Sequence, residues 1–143
     1  EIYYQQSLFF AKQKNSEKVQ SALKKCITLN PNKYEAFRDL GILYSEKKYL
    51  DNARTCLEKA IDINYSDYLA HYELGKIMVK MKDYDEAEQH FLSALDIIED
   101  FTECMIEIAL LKFHQNDIEL AKEYYQNAKL INSQINIQDL EIL

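Results

Sequence analysis

Three histidines and three cysteines are the residues whose chemistry could be catalytic or metal-binding. His71, His90 and His114 stand alone, at no spacing such as His-x-x-x-His or Glu-x-x-His that would turn two ligands toward one ion. Cys26, Cys56 and Cys104 are odd in number, widely spaced and without a Cys-x-x-Cys, which argues against both a disulfide framework and a zinc site. A cysteine nucleophile needs a histidine and an orienting group, and the sequence indicates neither. Carboxylates are abundant, so two of them within reach of each other say nothing about acid–base chemistry. With 2 Gly in the chain there is no material for a phosphate-cradling glycine loop. The sequence predicts no catalytic residue, no metal site and no cofactor.

The elements that carry these residues are helices. The chain has 143 residues, 48% hydrophobic and 29% charged, with 1 Pro beside the 2 Gly. So little Gly and Pro leaves few of the turns that an all-β sandwich or barrel needs. The balance of apolar and charged residues excludes a disordered chain. No stretch approaches the roughly 20 apolar residues of a spanning helix. A formal net charge of -7 disfavours nucleic acid and anionic membrane as principal partners. The start, Glu1-Ile2-Tyr3, lacks Met and a basic-then-apolar leader, and is read as an internal start in a longer chain or as a trimmed one.

Several columns of residues share a period of 34. Leu40 and Gly41 recur as Leu74 and Gly75. Ala53, Ala87 and Ala121 form one series, and Ala60, Ala94 and Ala128 another. Leu57, Phe91 and Tyr125 form a third, and Ile63, Ile97 and Ile131 a fourth. Apolar residues within each first helix are three and four apart, as in Phe37, Leu40, Gly41 and Tyr44. Glu17, Asp51, Asp85 and Glu119 fall where the positive end of each second helix is expected. Asn30, Asn64 and Asn132 fall at its other end, where Asn is expected to take a left-handed turn.

This pattern resembles the tetratricopeptide repeat (TPR), a 34-residue pair of antiparallel helices. The family pattern has a large residue at position 4, Leu-Gly at 7 and 8, Tyr at 11, Ala at 20, an aromatic at 24, Ala at 27 and Pro at 32. The units are residues 1–33, 34–67, 68–101 and 102–135. The second fits best. The first has Gln6-Ser7 in place of Leu-Gly, and the fourth has Lys112 where Tyr is usual. The resemblance implies an all-α, right-handed solenoid of about four units. It also makes His71 a packed core residue and Cys26 a small buried one in the usual place of Ala. Residues 136–143, with Ile137, Leu140, Ile142 and Leu143, read as the start of a ninth helix, either a cap or the next unit. A solenoid end needs a polar face, so continuation beyond Leu143 is the preferred expectation.

The resemblance places a concave groove on the first helices. Its expected lining is Glu35, Arg38, Asp39 and Ile42, then Leu69, Tyr72, Glu73 and Lys76, then Glu103, Ile106, Glu107 and Leu110. One family use, a clamp for two carboxylates, needs Lys, Arg and Asn there. The matching positions are Arg38, Ile42, Glu73, Glu103 and Glu107 in one frame, and Tyr4, Leu8, Asp39, Leu69 and Glu73 in the other. Acidic residues there would repel such a ligand. The row Asp39–Glu73–Glu107 beside Tyr72, Ile106 and Leu110 suits instead a peptide or helix with basic and apolar anchors. A solvated face that keeps the chain soluble is the plainer reading of the same acids.

The expected function is therefore a non-catalytic protein-interaction scaffold, a segment of a larger protein or assembly that admits homo-oligomers. A stand-alone adaptor or co-chaperone is the alternative, and an RNA-binding helical repeat a remote one. The expected home is reducing and cytoplasmic, with nuclear and ciliary sites admitted.

Overall fold

The computed structural model describes residues 1–140. Over them the chain forms eight α-helices and no strand: α1 Ile2–Lys12, α2 Ser16–Leu29, α3 Tyr34–Glu46, α4 Leu50–Ile63, α5 Tyr68–Met81, α6 Tyr84–Ile97, α7 Thr102–His114 and α8 Ile118–Ile131. Each odd-numbered helix packs on the even one that follows it, and α2, α4 and α6 each pack on the first helix of the next unit.

Two kinds of turn make this register. Within each unit the chain reverses through one residue with positive φ: Lys14, Lys48, Lys82 and Asn116, again 34 apart. A left-handed residue turns a helix out of its path in one step, and none of these four is glycine. In three of the four units the second helix then starts at an Asn or Asp cap. Asn15, Asp83 and Asp117 accept from the amides of Lys18, Glu86 and Leu120. The acidic residues expected in the first turn are there: Glu17, Asp51, Asp85 and Glu119.

Between units the expectation of left-handed asparagines is wrong. Asn30, Asn64 and Asn132 have φ of -136°, -139° and -132°. Each side chain instead accepts a hydrogen bond from the amide two residues on, at 3.2, 3.2 and 3.1 Å, in Asn32, Ser66 and Gln134. The asparagine is used for its carbonyl oxygen, which replaces a backbone acceptor in the turn.

The core follows the columns. A central cluster runs from Ala53, Leu57 and Ala60 through Leu74, Met78, Phe91 and Ala94 to Cys104 and Ile108, all fully buried. Close approach explains the glycines. A Cβ on Gly41 would stand 2.7 Å from Leu57 Cγ, and one on Gly75 2.6 Å from Phe91 Cε1. Ser7 takes the same place in the first unit. It is buried, and its hydroxyl donates to the Tyr4 carbonyl at 2.6 Å. The departure from Leu-Gly thus keeps a small, satisfied residue at the contact.

Where a ninth helix was expected to start, the described residues make a single 3-10 turn, Gln138–Leu140. Leu140 is fully buried against Ala109 and Tyr125, with Ile135 and Ile137 beside it. Tyr125 Oη accepts from the Ile137 amide at 3.2 Å. A short segment gains more from seating one leucine than from nucleating a helix. Residues 141–143, and with them the expected roles of Ile142 and Leu143, lie outside the described residues.

A candidate peptide-binding groove

The twelve residues expected to line the groove come from α3, α5 and α7. Eleven are half-buried and Glu103 is exposed. None is fully buried, as suits side chains that border solvent on a packed helix.

Two clefts open along these helices. One, of about 440 Å³, is lined by Leu8, Ala11, Val19, Asp39, Ile42 and Leu43, with Lys14 and Glu46. The other, of about 460 Å³, is lined by Val79, Tyr84, Glu107, Leu110, Leu111 and His114. They are related by two repeat lengths: Ala11 matches Val79, Asp39 matches Glu107, Ile42 matches Leu110 and Leu43 matches Leu111. At the junction between them Lys80 Nζ donates to Ser45 Oγ at 3.1 Å.

The acidic row is not electrostatically uniform. Asp39 Oδ2 accepts from the Tyr4 hydroxyl at 2.9 Å, and Oδ1 from Arg38 Nε at 3.1 Å. Burial, then the Asp39 charge, push the Tyr4 hydroxyl well above its ordinary range. Glu73 holds Lys76 Nζ at 3.0 Å, and the same ammonium lies 4.8 Å from the centre of the Tyr72 ring. Glu107 has no hydrogen bond or ion pair among the described residues. Burial raises its carboxyl above the usual range; Lys76 opposes this from α5, and Glu73 adds to it. Glu107 in turn helps to raise the Tyr72 hydroxyl, behind the larger effect of burial.

Arg38, expected at the groove, spends its guanidinium inside the fold. Nη1 donates to Asp67 Oδ2 at 3.1 Å and Oδ1 at 3.3 Å. Asp67 is 5% exposed and also caps α5 through the Ala70 amide. Glu35 similarly pairs with Lys33, at 3.3 Å.

The histidine expectations need one correction. His71 is buried as expected, but His90 is not alone. Their Nδ1 atoms are 3.3 Å apart, and His71 Nε2 is 3.0 Å from the Tyr65 carbonyl. The carbonyl can only accept, so His71 carries its proton on Nε2 and accepts from His90 Nδ1. Sequence spacing hides this pair because its members lie on two helices. Cys104 is buried, and its thiol donates to the Phe91 carbonyl at 3.2 Å. Burial pushes that thiol up to about 12, well above the range of a reactive cysteine. Among the described residues no group of three His, Cys, Asp or Glu is placed to hold a metal ion.

Similar proteins agree on the architecture. A crystal structure of MamA superposes with a TM-score of 0.86 at 20% identity, covering 92% of this chain and 77% of that one. MamA 41-end from Desulfovibrio magneticus RS-1 gives 0.82 at 18% identity, covering 94% and 76%. A tetratricopeptide repeat protein from Parabacteroides merdae gives 0.83 at 13% identity, covering 93% and 53%. At such identities the likeness is one of fold. No curated protein matches the sequence. The sequence model of the tetratricopeptide repeat matches residues 1–33, 34–67, 68–101 and 102–135, and with that period, these helix pairs and their small-residue contacts the chain belongs to the tetratricopeptide repeat family.

Proposed function

We infer that this TPR domain is a non-catalytic scaffold whose groove takes a protein segment carrying basic and apolar side chains. The fold is a protein-interaction module, and no helix among its described residues is long and apolar enough to cross a membrane. The observation that carries the finer reading is the pairing of clefts and acids: each apolar cleft on the first helices includes one carboxylate, Asp39 or Glu107. Apolar walls reward burial of a partner's side chain, and the carboxylate without a hydrogen-bonded partner, Glu107, selects for positive charge beside it. Nucleic acid would meet the wrong sign. Scattered cysteines suit a reducing home such as the cytoplasm, within a larger protein or assembly.

The test is affinity capture from native lysate with the natural chain beside Glu73→Lys/Glu107→Lys. Asp39 is left intact because Tyr4 and Arg38 bond to it. Both proteins should show the same helical circular dichroism. The expected result is a partner held by the natural chain and lost by the variant. A partner held equally by both would move the contact off the groove.

A further inference from the structure

We propose that the two clefts read different parts of one ligand: Glu107 and its cleft take a Lys or Arg next to a large apolar side chain, while the Asp39 cleft takes an apolar side chain alone. This rests on the groove reading above and assigns its specificity.

The argument is one of charge satisfaction at equivalent places. Asp39 and Glu107 occupy the same position two units apart, in clefts of nearly equal size. Asp39 already accepts from a hydroxyl and a guanidinium, and its cleft also includes Lys14. A second cation there would displace existing partners and meet a like charge. Glu107 has no such partners among the described residues, yet it is half-buried beside Leu110, Leu111 and Val79. Lys76 and Lys80 act on this carboxylate from α5 and Glu73 opposes them, but neither ammonium bonds to it, so a cation that reaches it directly stabilises its charged form. The apolar wall beside it would cover the methylene stem of Lys or Arg, or the neighbouring apolar residue.

The stretch between the clefts is different again. There Glu73 is already paired with Lys76, and Lys80 bonds to Ser45. Two ammonium groups disfavour a basic residue in the middle of the ligand. The expected pattern is thus polar in direction: an apolar anchor at the α1–α3 cleft, a neutral or acidic middle, and a basic–apolar pair at the α5–α7 cleft.

The test is selection from a random 12-residue peptide display library on the purified chain, on Glu107→Gln and on Glu73→Lys/Glu107→Lys. The natural chain should enrich peptides with Lys or Arg adjacent to Leu, Ile, Met or Phe, and a second apolar residue further along. A selected peptide, made synthetically, should bind Glu107→Gln about 10-fold or more weakly, the scale of one lost charge-assisted hydrogen bond. Carbon-detected NMR of the natural chain should show the Glu107 carboxyl titrating at lower pH once the peptide is bound, a readout that needs no variant. Unchanged affinity in Glu107→Gln, or an unmoved Glu107 titration, would overturn this assignment while leaving groove binding in place. Enrichment of no peptide, or of peptides that bind the double Lys variant equally well, would overturn the groove reading and this inference with it.

Discussion

Single atoms decide the close contacts and the pH response of the buried histidine pair. Gly75→Ala adds a Cβ 2.6 Å from the Phe91 ring, where a rigid aromatic cannot bend away. Alanine improves helix propensity by about 1 kcal/mol, and overpacking costs about 1–3 kcal/mol. The expected sum is a net loss of about 1 kcal/mol, read as a lower urea midpoint at an unchanged slope. Gly41→Ala meets Leu57 Cγ at 2.7 Å and the Ala53 carbonyl oxygen at 3.2 Å, and should cost a similar amount. These glycines are legible as columns in the sequence, because units with the same helix approach repeat the same small residue. The His71–His90 contact is not, since only one unit carries it. Burial, and then the neighbouring His71, push His90 down to about 4, and burial lowers His71 too. Arg54 adds to the effect on His90; Glu58 opposes it, and Glu86 lies 3.8 Å from Nε2. Both folded values lie below the unfolded one, near 6.5, so the unfolded chain binds more protons in between. Stability should therefore be whole above about pH 6.5 and fall as pH drops toward 4, by about 1–3 kcal/mol from this site. His90→Gln should flatten the fall in thermal midpoint across that window; an identical profile would exclude the pair as its source.

At the scale of a helix, the same position has different worth in the first described unit and in an inner one. Ile2, Gln6 and Phe9 stand in the columns of Ala36, Leu40 and Leu43, which the preceding second helix buries. In α1 no second helix among the described residues packs over this face, and Ile2 is 74% and Phe9 57% exposed. Phe9→Ser should change stability by no more than about 0.5 kcal/mol. Ile77→Ala, in the same column of α5 and fully buried, should cost about 2–4 kcal/mol. Hydrogen exchange should rank the helices alike, with α1 amides opening first and those of α5 and α6 last. The helices themselves are readable from period and spacing because their burial repeats. Their ends are readable only in part. The inter-unit asparagines stand at the turns where the sequence places them but take another geometry, because Asn serves equally as a left-handed residue and as a side-chain acceptor, and sequence does not separate the two. Residues 135–140 show the same ambiguity: their apolar side chains fit a helix face, and they fit equally a turn that packs Ile135, Ile137 and Leu140 on Ala109 and Tyr125.

Over the whole molecule, what repeats is the core and what varies is the polar and aromatic tie at each junction. The last residue of a unit and the one 29 before it meet in three units by three chemistries. Lys33 lies 4.8 Å over the Tyr4 ring, Arg38 pairs with Asp67 at 3.1 Å, and Tyr72 stacks on Phe101 at 4.8 Å. The repeat pattern puts Tyr4, Arg38 and Tyr72 in one groove row and reveals only their outward side, because a column shared in place but not in chemistry carries no visible signal. A solenoid's stability is close to a sum of units and nearest-neighbour contacts, so a junction can be weakened alone. Arg38 is the most consequential of these ties, since Asp67 is buried and would be left charged without it. Removing one partner of a buried pair costs about 3–5 kcal/mol; the Ala70 amide still reaches Asp67, and Arg38 is partly solvated, so about 2–3 kcal/mol is expected for Arg38→Leu. Arg38→Leu/Asp67→Asn removes both charges and keeps an N-cap, and should regain most of the loss. The fault should also be local: in hydrogen exchange α3 and the start of α5 should lose protection ahead of α6 and α7. A uniform loss across all helices, or a double variant no better than the single one, would show that the pair does not act as this junction's tie.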